Sequence, residues 1–209
     1  MKVGIAGSGT VAQALGAGFA KHGHEVMLGT REPGKLQEFC SGNPGVRAGS
    51  FEEAARFGDL LVLATNGSAI DSAVGLMGAE NLANKVLIDA TNPVTQEGGA
   101  MRLFVDTTDS LGERVQKLVP QARVVKAFNM VGSHLMVDPK FPDGPPTMLI
   151  AGNDDGAKND VTAILRDFGW DVADLGGIEA SRYLEPLCLP WIAYGVKSGT
   201  WHHAFKLLR

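Results

Sequence analysis

Residues 1–31 read MKVGIAGSGTVAQALGAGFAKHGHEVMLGTR, and this stretch decides the fold. Met1 to Ala6 is a short apolar strand, and Gly7-Ser8-Gly9-Thr10-Val11-Ala12 is a turn. A helix follows to about His22, stopped by Gly23. A second strand, Glu25 to Leu28, ends in Gly29-Thr30-Arg31. The spacing is G-x-G-x-x-A between a strand and a helix, inside a βαβ unit, which predicts a dinucleotide site. Gly7 permits the tight turn. Gly9 lets the backbone approach a pyrophosphate, where helix N–H groups and the helix dipole favour negative charge. Ala12 keeps the helix close to the strand.

The end of the second strand predicts which dinucleotide. A carboxylate there accepts from the ribose 2′-OH of NAD, whereas this chain has Gly29, Thr30 and Arg31. Without the carboxylate a 2′-phosphate is not repelled. Thr30 offers a hydroxyl donor and Arg31 a planar cation that binds phosphate with two bonds. Lys35, one helical turn on, adds charge or is a solvated surface lysine. These residues predict NADP(H).

Working outward, the chain continues to alternate. An apolar run, Leu60 to Ala64, suits a central parallel strand buried on both faces. Further strands are expected at Val46–Ala48 on an edge, Lys85–Asp89, Arg123–Ala127, Thr147–Ala151 and Asp171–Leu175. Helices are expected between them, one introduced by a capping box of Ser50 with Glu53. The stretch from Val94 to Asp109 is read as irregular, 138–146 as a proline-rich loop, and Ile178 to the C-terminus as helical, broken near Pro186 or Pro190. The prediction is an α/β, Rossmann-type doubly wound, mainly parallel sheet with a small helical C-terminal extension. It is one NADP-binding domain over residues 1–209, with a core of about 1–135 and a β-α-β-α extension of about 146–209.

Composition bounds the function. The 209 residues suffice for one good core but not for an added large substrate domain. A net charge of −4 invites neither nucleic acid nor an anionic membrane, and no apolar run is long enough to span one. With no signal peptide ahead of the glycine turn, a reducing cytoplasm is the expected setting, and Cys40 and Cys188 are not expected to catalyse. His202-His203 is not expected to bind metal, because adjacent helical residues do not share a face. His22 and His24 flank the end of the first helix and complement its dipole.

Ligands of such sheets bind beyond the carboxyl ends of the strands. The loops there are 7–12, 29–31, 65–68, 90–94 and 127–130. Thr65, Asn66, Ser68, Thr91, Asn92 and Asn129 offer amides and hydroxyls for a ribose or a carboxamide, and none is a good general acid or base. His134 is the nearest candidate proton donor and is read first as a packing or surface histidine. Asp89, inside the end of its strand, is read as structural or as a support behind the site. No Ser-Tyr-x-x-x-Lys arrangement is present, nor a helical substrate domain. The substrate must then bind on the dinucleotide domain, capped by the C-terminal region or by a second subunit. A flat ring stacked on the nicotinamide suits that geometry, since hydride transfer between stacked rings needs proximity and little acid–base help.

The chain resembles the NADPH-dependent reductases of the deazaflavin coenzyme F-420, whose near relatives include the cytosolic flavin-binding domain of six-transmembrane metalloreductases. The resemblance rests on Gly7 to Val11, Gly29-Thr30-Arg31, Lys126-Ala127-Phe128-Asn129, Ala151-Gly152-Asn153-Asp154 with Ala157-Lys158, Glu185, Trp191, and Gly199 to Leu208. It implies a Rossmann core with a small C-terminal extension, usually dimeric. It implies that Gly7, Ser8, Gly9, Thr10 and Val11 hold the pyrophosphate and that Thr30 and Arg31 hold the 2′-phosphate. Thr65 and Asn66 would sit near the cofactor's middle, with Asn92, Pro93, Ala127, Phe128 and Asn129 near the nicotinamide. The expected activity is hydride exchange between NADP(H) and F-420, FMN or FAD by positioning, with no dedicated catalytic residue and no metal. Two alternatives stand beside it: a reductase of a small carbonyl or imine with His134 donating the proton, and a non-catalytic NADP(H) sensor.

Overall fold

A computed structural model describes residues 1–209. Eight strands form the main sheet: β1 (Lys2–Ala6), β2 (Glu25–Gly29), β3 (Val46–Gly49), β4 (Leu60–Leu63), β5 (Val86–Asp89), β8 (Arg123–Lys126), β9 (Thr147–Gly152) and β10 (Asp171–Asp174). Two more, β6 (Val94–Glu97) and β7 (Ala100–Leu103), make a separate hairpin. The helices are α1 (Thr10–Lys21), α2 (Gln37–Gly42), α3 (Phe51–Phe57), α4 (Ile70–Met77), α5 (Ala79–Leu82), α6 (Leu111–Leu118), α7 (Asp155–Asp167), α8 (Ser181–Leu184) and α9 (Cys188–Ser198).

The sheet order is β10-β9-β8-β5-β4-β1-β2-β3. Every pair is parallel except β8 with β9, so the expected doubly wound, mainly parallel sheet is present. Alternation along the central strands explains the two helical layers. Leu60 and Val62 join the apolar cluster that holds Leu15 and Phe19 of α1 and Leu165 of α7. Leu61 and Leu63 face the other way, into the cluster of Ile70, Val74, Leu111 and Val115 from α4 and α6. A strand buried on both faces therefore needs the unbroken apolar run that its sequence has. The chain reverses its winding between β1 and β4, and such a crossover opens a crevice at the strand ends.

Three expectations are corrected. The region read as irregular contains the β6–β7 hairpin, whose turn is Gly98-Gly99 at φ +57° and +82°. Two consecutive positive φ values suit a two-residue hairpin turn, and Gly-Gly supplies them without steric cost. The C-terminal helical region ends at Ser198, where Gly199 adopts φ +70°. Beyond it the tail runs unwound beside β9, with the Thr147 N–H donating to the Phe205 carbonyl (2.9 Å) and the Leu207 N–H to Thr147 Oγ1 (3.0 Å). Of the two prolines, Pro186 marks the expected interruption, between α8 and α9. Pro186 lies in a 3-10 turn, and Pro190 falls in the first turn of α9, where a missing N–H costs nothing. Third, His22 does more than complement the α1 dipole, because its ring nitrogens bridge Asp138 (3.0 Å) and Asp167 (2.8 Å).

Candidate functional site

The carboxyl ends of β1, β2, β4 and β5 border one continuous cleft. Its larger half, about 580 Å³, is lined by Gly7, Ser8 and Gly9, by Thr30, Arg31 and Lys35, by Thr65 and Asn66, and by Ser72 and Leu76 of α4. Its smaller half, about 350 Å³, is lined by Gly9, Thr10 and Val11, by Thr65, Asn66 and Gly67, and by Ala90, Thr91, Asn92 and Val94. The shared residues Gly9, Ala64, Thr65 and Asn66 make it a single trough across the end of β1.

The opening turn has the geometry that its residue types predict. Gly7 sits at φ +142°, and a Cβ there would lie 2.4 Å from the Ala64 carbonyl oxygen. Gly9 caps α1 with an extended backbone and no side-chain cap. A Cβ on Gly9 would meet no protein atom within 4 Å, so its missing side chain leaves room for something other than protein. The first N–H groups of α1, at Thr10, Val11 and Ala12, have no partner within the helix and face that space with the positive end of the dipole.

At the far end of the larger half, the Glu32 N–H donates to Thr30 Oγ1 (3.3 Å) and leaves the Thr30 hydroxyl hydrogen free. Arg31 is exposed and forms no salt bridge, whereas Lys35 is paired with Glu32 at 2.8 Å. An incoming anion therefore finds Arg31 free and Lys35 shared. Thr65 Oγ1 is buried with no hydrogen-bond partner, although its residue lines both halves. An unpaired hydroxyl in that position is provision for a ligand.

The structure separates the residues expected at the smaller half. Asn92 lines it, but Pro93, Ala127, Phe128 and Asn129 do not. Ala127, Phe128 and Asn129 are buried at 0%, 0% and 2% exposure, so these three back the site and do not form its surface. The physical reason is that β9 and the C-terminal segment pack over the end of β8. The Phe128 N–H contacts Met148 Sδ (3.3 Å), and Asn129 Nδ2 donates to the Leu184 carbonyl (2.8 Å). Phe128 itself is held at φ +65°, a strained conformation for an aromatic residue. Asn92 and Asn129 bond reciprocally: Asn92 Nδ2 donates to the Asn129 carbonyl (2.7 Å) and Asn129 Nδ2 to Asn92 Oδ1 (3.2 Å). His134 is exposed on a 3-10 turn and does not line the cleft.

Behind the smaller half lies a buried polar cluster. Lys126 is fully buried and donates to Asp89 Oδ2 (2.9 Å), to the Thr91 carbonyl (2.7 Å) and to Glu185 Oε1 (2.8 Å). Burial works against its ammonium, but the neighbouring Asp89 and Glu185 carboxylates prevail and hold its pKa above the ordinary lysine value. Asp89 also accepts from the Thr91 N–H (2.9 Å) and hydroxyl (2.7 Å), which bears out its structural reading. Glu185 accepts the N–H groups of Leu111 and Gly112 at the start of α6, each at 3.0 Å. Asp89 and Lys126 could have been found, because they end adjacent parallel strands and are register partners. Glu185 carried no such local signal.

Elsewhere, burial pushes the Cys188 thiol up to about 12, so it is a packing residue. His202 and His203 lie on the unwound tail, not on a helix. His202 contacts Phe141 and His203 stacks on Trp191, which gives both a packing role. No helix is long and apolar enough to cross a membrane.

Comparison with known proteins agrees with this geometry. Residues 2–93 match the family model of the coenzyme F420-dependent NADP oxidoreductases. A crystal structure from Arthrobacter sp. FB24, provisionally described as an F420-dependent NADP reductase, superposes with a TM-score of 0.95 at 37% identity, covering 100% of both chains. The F420-dependent NADP reductase of Methanocaldococcus jannaschii is 26% identical over 94% of this chain and 93% of its own. The metalloreductase STEAP3 of Rattus norvegicus is 31% identical over 90% of this chain, which spans 36% of that protein's length. The chain belongs to the coenzyme F420-dependent NADP oxidoreductase family.

Proposed function

We propose that this protein transfers hydride between NADP(H) and a flavin-type acceptor, F-420 first and FMN or FAD otherwise, bound over the smaller half of the cleft. The observation that carries this reading is the lining of that half. It consists of Gly9, Thr10, Val11, Ala64, Thr65, Asn66, Gly67, Ala90, Thr91, Asn92 and Val94, without one titratable side chain. Reduction of a carbonyl or imine needs a proton donor at the reacting atom, and His134 is not there. Hydride exchange between two stacked rings needs alignment and little acid–base help, since the ring nitrogen can take its proton from solvent.

The residues present fit NADP(H). The uncapped start of α1 and the open space at Gly9 would take the pyrophosphate, with Ser8, Thr10 and Val11 around it. Thr30 and Arg31 would take the 2′-phosphate, assisted by Lys35 once its pairing with Glu32 loosens. Thr65 Oγ1 would pair with the cofactor's middle, and Asn92 would border the nicotinamide. When bound, the dihydronicotinamide supplies the hydride; the protein binds, orients and excludes water. Ala127, Phe128 and Asn129 contribute by backing the loop that holds Asn92.

We also propose a homodimer through the C-terminal segment, where Tyr183, Tyr194 and Val196 are 72%, 56% and 70% exposed. Sedimentation at micromolar concentration tests it, and a monomer would refute it. The activity is tested by following 340 nm absorbance with NADPH against F-420, FMN, FAD and ferric chelates. Turnover with a flavin-type ring is expected. Tight NADPH binding without oxidation by any acceptor would favour a sensor and overturn the reading.

A further inference from the structure

Among the backbone donors that the protein leaves free in the smaller half is the Asn92 N–H, and its direction is set from behind. Each polar atom of Thr91 is tied to the buried cluster. Its N–H and hydroxyl donate to Asp89 Oδ1, and its carbonyl accepts from Lys126 Nζ at 2.7 Å. The chain has no cis peptide, so the N–H of Asn92 points opposite to the Thr91 carbonyl across one planar unit. With that carbonyl drawn inward to Lys126, the Asn92 N–H faces outward, at a position where Thr91 and Asn92 both line the cleft.

The other polar groups of Asn92 and Pro93 are engaged or enclosed. The Asn92 side chain is engaged with Asn129. The Asn92 carbonyl abuts Gly67 so closely that a Cβ there would lie 2.1 Å from it. Pro93 has no N–H, and its carbonyl accepts from Phe104 N–H at 2.8 Å. The Asn92 N–H has no such partner.

We infer that Lys126 is a positioning residue: clamped between Asp89 and Glu185, it orients the Thr91–Asn92 peptide so that the Asn92 N–H binds the carboxamide oxygen of the nicotinamide. This inference rests on the NADP(H) reading above. The Lys126 ammonium has three donors and three acceptors, so it cannot turn without losing a bond. Glu185 links this device to α6 and to the C-terminal segment, so seating of that segment is coupled to the direction of one N–H in the cleft.

The test compares NADP+ with 2′-phospho-ADP-ribose, which lacks the nicotinamide. In backbone amide spectra of the full wild-type chain, the Asn92 resonance is expected to move with NADP+ and to stay with the fragment. An equal response to both ligands, or none to either while both bind, overturns the inference. Failure of NADP+ to bind at all overturns the cofactor reading itself. In Lys126→Met the Kd for NADP+ should rise about 3- to 10-fold, one hydrogen bond's worth, while the Kd for the fragment stays within about twofold. A merely structural role would weaken both ligands in parallel, and that result refutes the positioning role. If Lys126→Met does not fold, Glu185→Gln, which keeps Lys126 on Asp89, should move the same ratio in the same direction. An unchanged ratio refutes the inference.

Discussion

Lys126 and Glu185 meet at 2.8 Å in the interior, with side-chain exposures of 0% and 1%. Breaking a buried pair by removing one partner leaves an uncompensated polar group and costs about 3–5 kcal/mol. Glu185→Ala and Lys126→Ala should each lower unfolding stability by about that amount in urea titrations. The double variant should cost less than the sum of the two. Strict additivity would mean that the two side chains do not act as a pair.

Gly7 and Gly9 should separate folding from binding. Gly7→Ala forces a Cβ against the Ala64 carbonyl at a strained φ, and should destabilise the protein by about 2–4 kcal/mol. Gly9→Ala meets no protein atom, so its stability should change by less than about 1 kcal/mol. Its Cβ enters the space assigned to the pyrophosphate, and NADP(H) binding should weaken about tenfold or more, roughly 1.4 kcal/mol. Calorimetry of both variants checks the contrast. Normal NADP(H) affinity in Gly9→Ala would move the phosphate site elsewhere.

Arg31 and Lys35 should differ in weight. Arg31 has no competing carboxylate partner, whereas Lys35 is held by Glu32 at 2.8 Å. Arg31→Ala should weaken NADPH by about 1.5–3 kcal/mol and leave NADH nearly unchanged. Lys35→Ala should cost less than half of that. A wild type that prefers NADH, or equal losses for both cofactors in Arg31→Ala, would sink the 2′-phosphate assignment.

The acid limb of stability should depend on Glu113. Hydrogen bonds from the Arg182 guanidinium, at 2.7 and 2.6 Å, outweigh burial and hold its carboxyl below the usual glutamate range. A carboxyl whose folded pKa is depressed contributes stability above its unfolded pKa of about 4.3 and loses it as pH falls through the folded value. Arg182→Met should therefore be less stable than wild type near neutral pH, by a small margin because the pair is partly exposed. The difference from wild type should shrink to nothing on acidification. A difference that persists at low pH would mark lost packing, not lost charge pairing.

Most of the architecture was legible because it rests on local patterns. The Leu60–Leu63 run, the Ser50–Glu53 capping box and the small residues of the opening turn each reported their own surroundings. The β6–β7 hairpin is hard to read from sequence because its strands are mostly exposed and lack apolar alternation, leaving only Gly98-Gly99 as a signal. The unwound tail is not legible locally, because beyond Gly199 its course is set by hydrogen bonds to Thr147, about 60 positions away.

The sequence by itself determined the glycine turn between β1 and α1 and the alternation that makes a parallel sheet, since these depend on neighbours a few positions apart. Only the tertiary structure decided what stands behind the smaller half of the cleft. It withdrew Ala127, Phe128 and Asn129 from the surface and joined Glu185 to Leu111 and Gly112 across 74 and 73 positions. A buried ammonium needs oxygen atoms around it, but it does not specify where along the chain they lie. Packing of the C-terminal segment over the end of β8 made that choice.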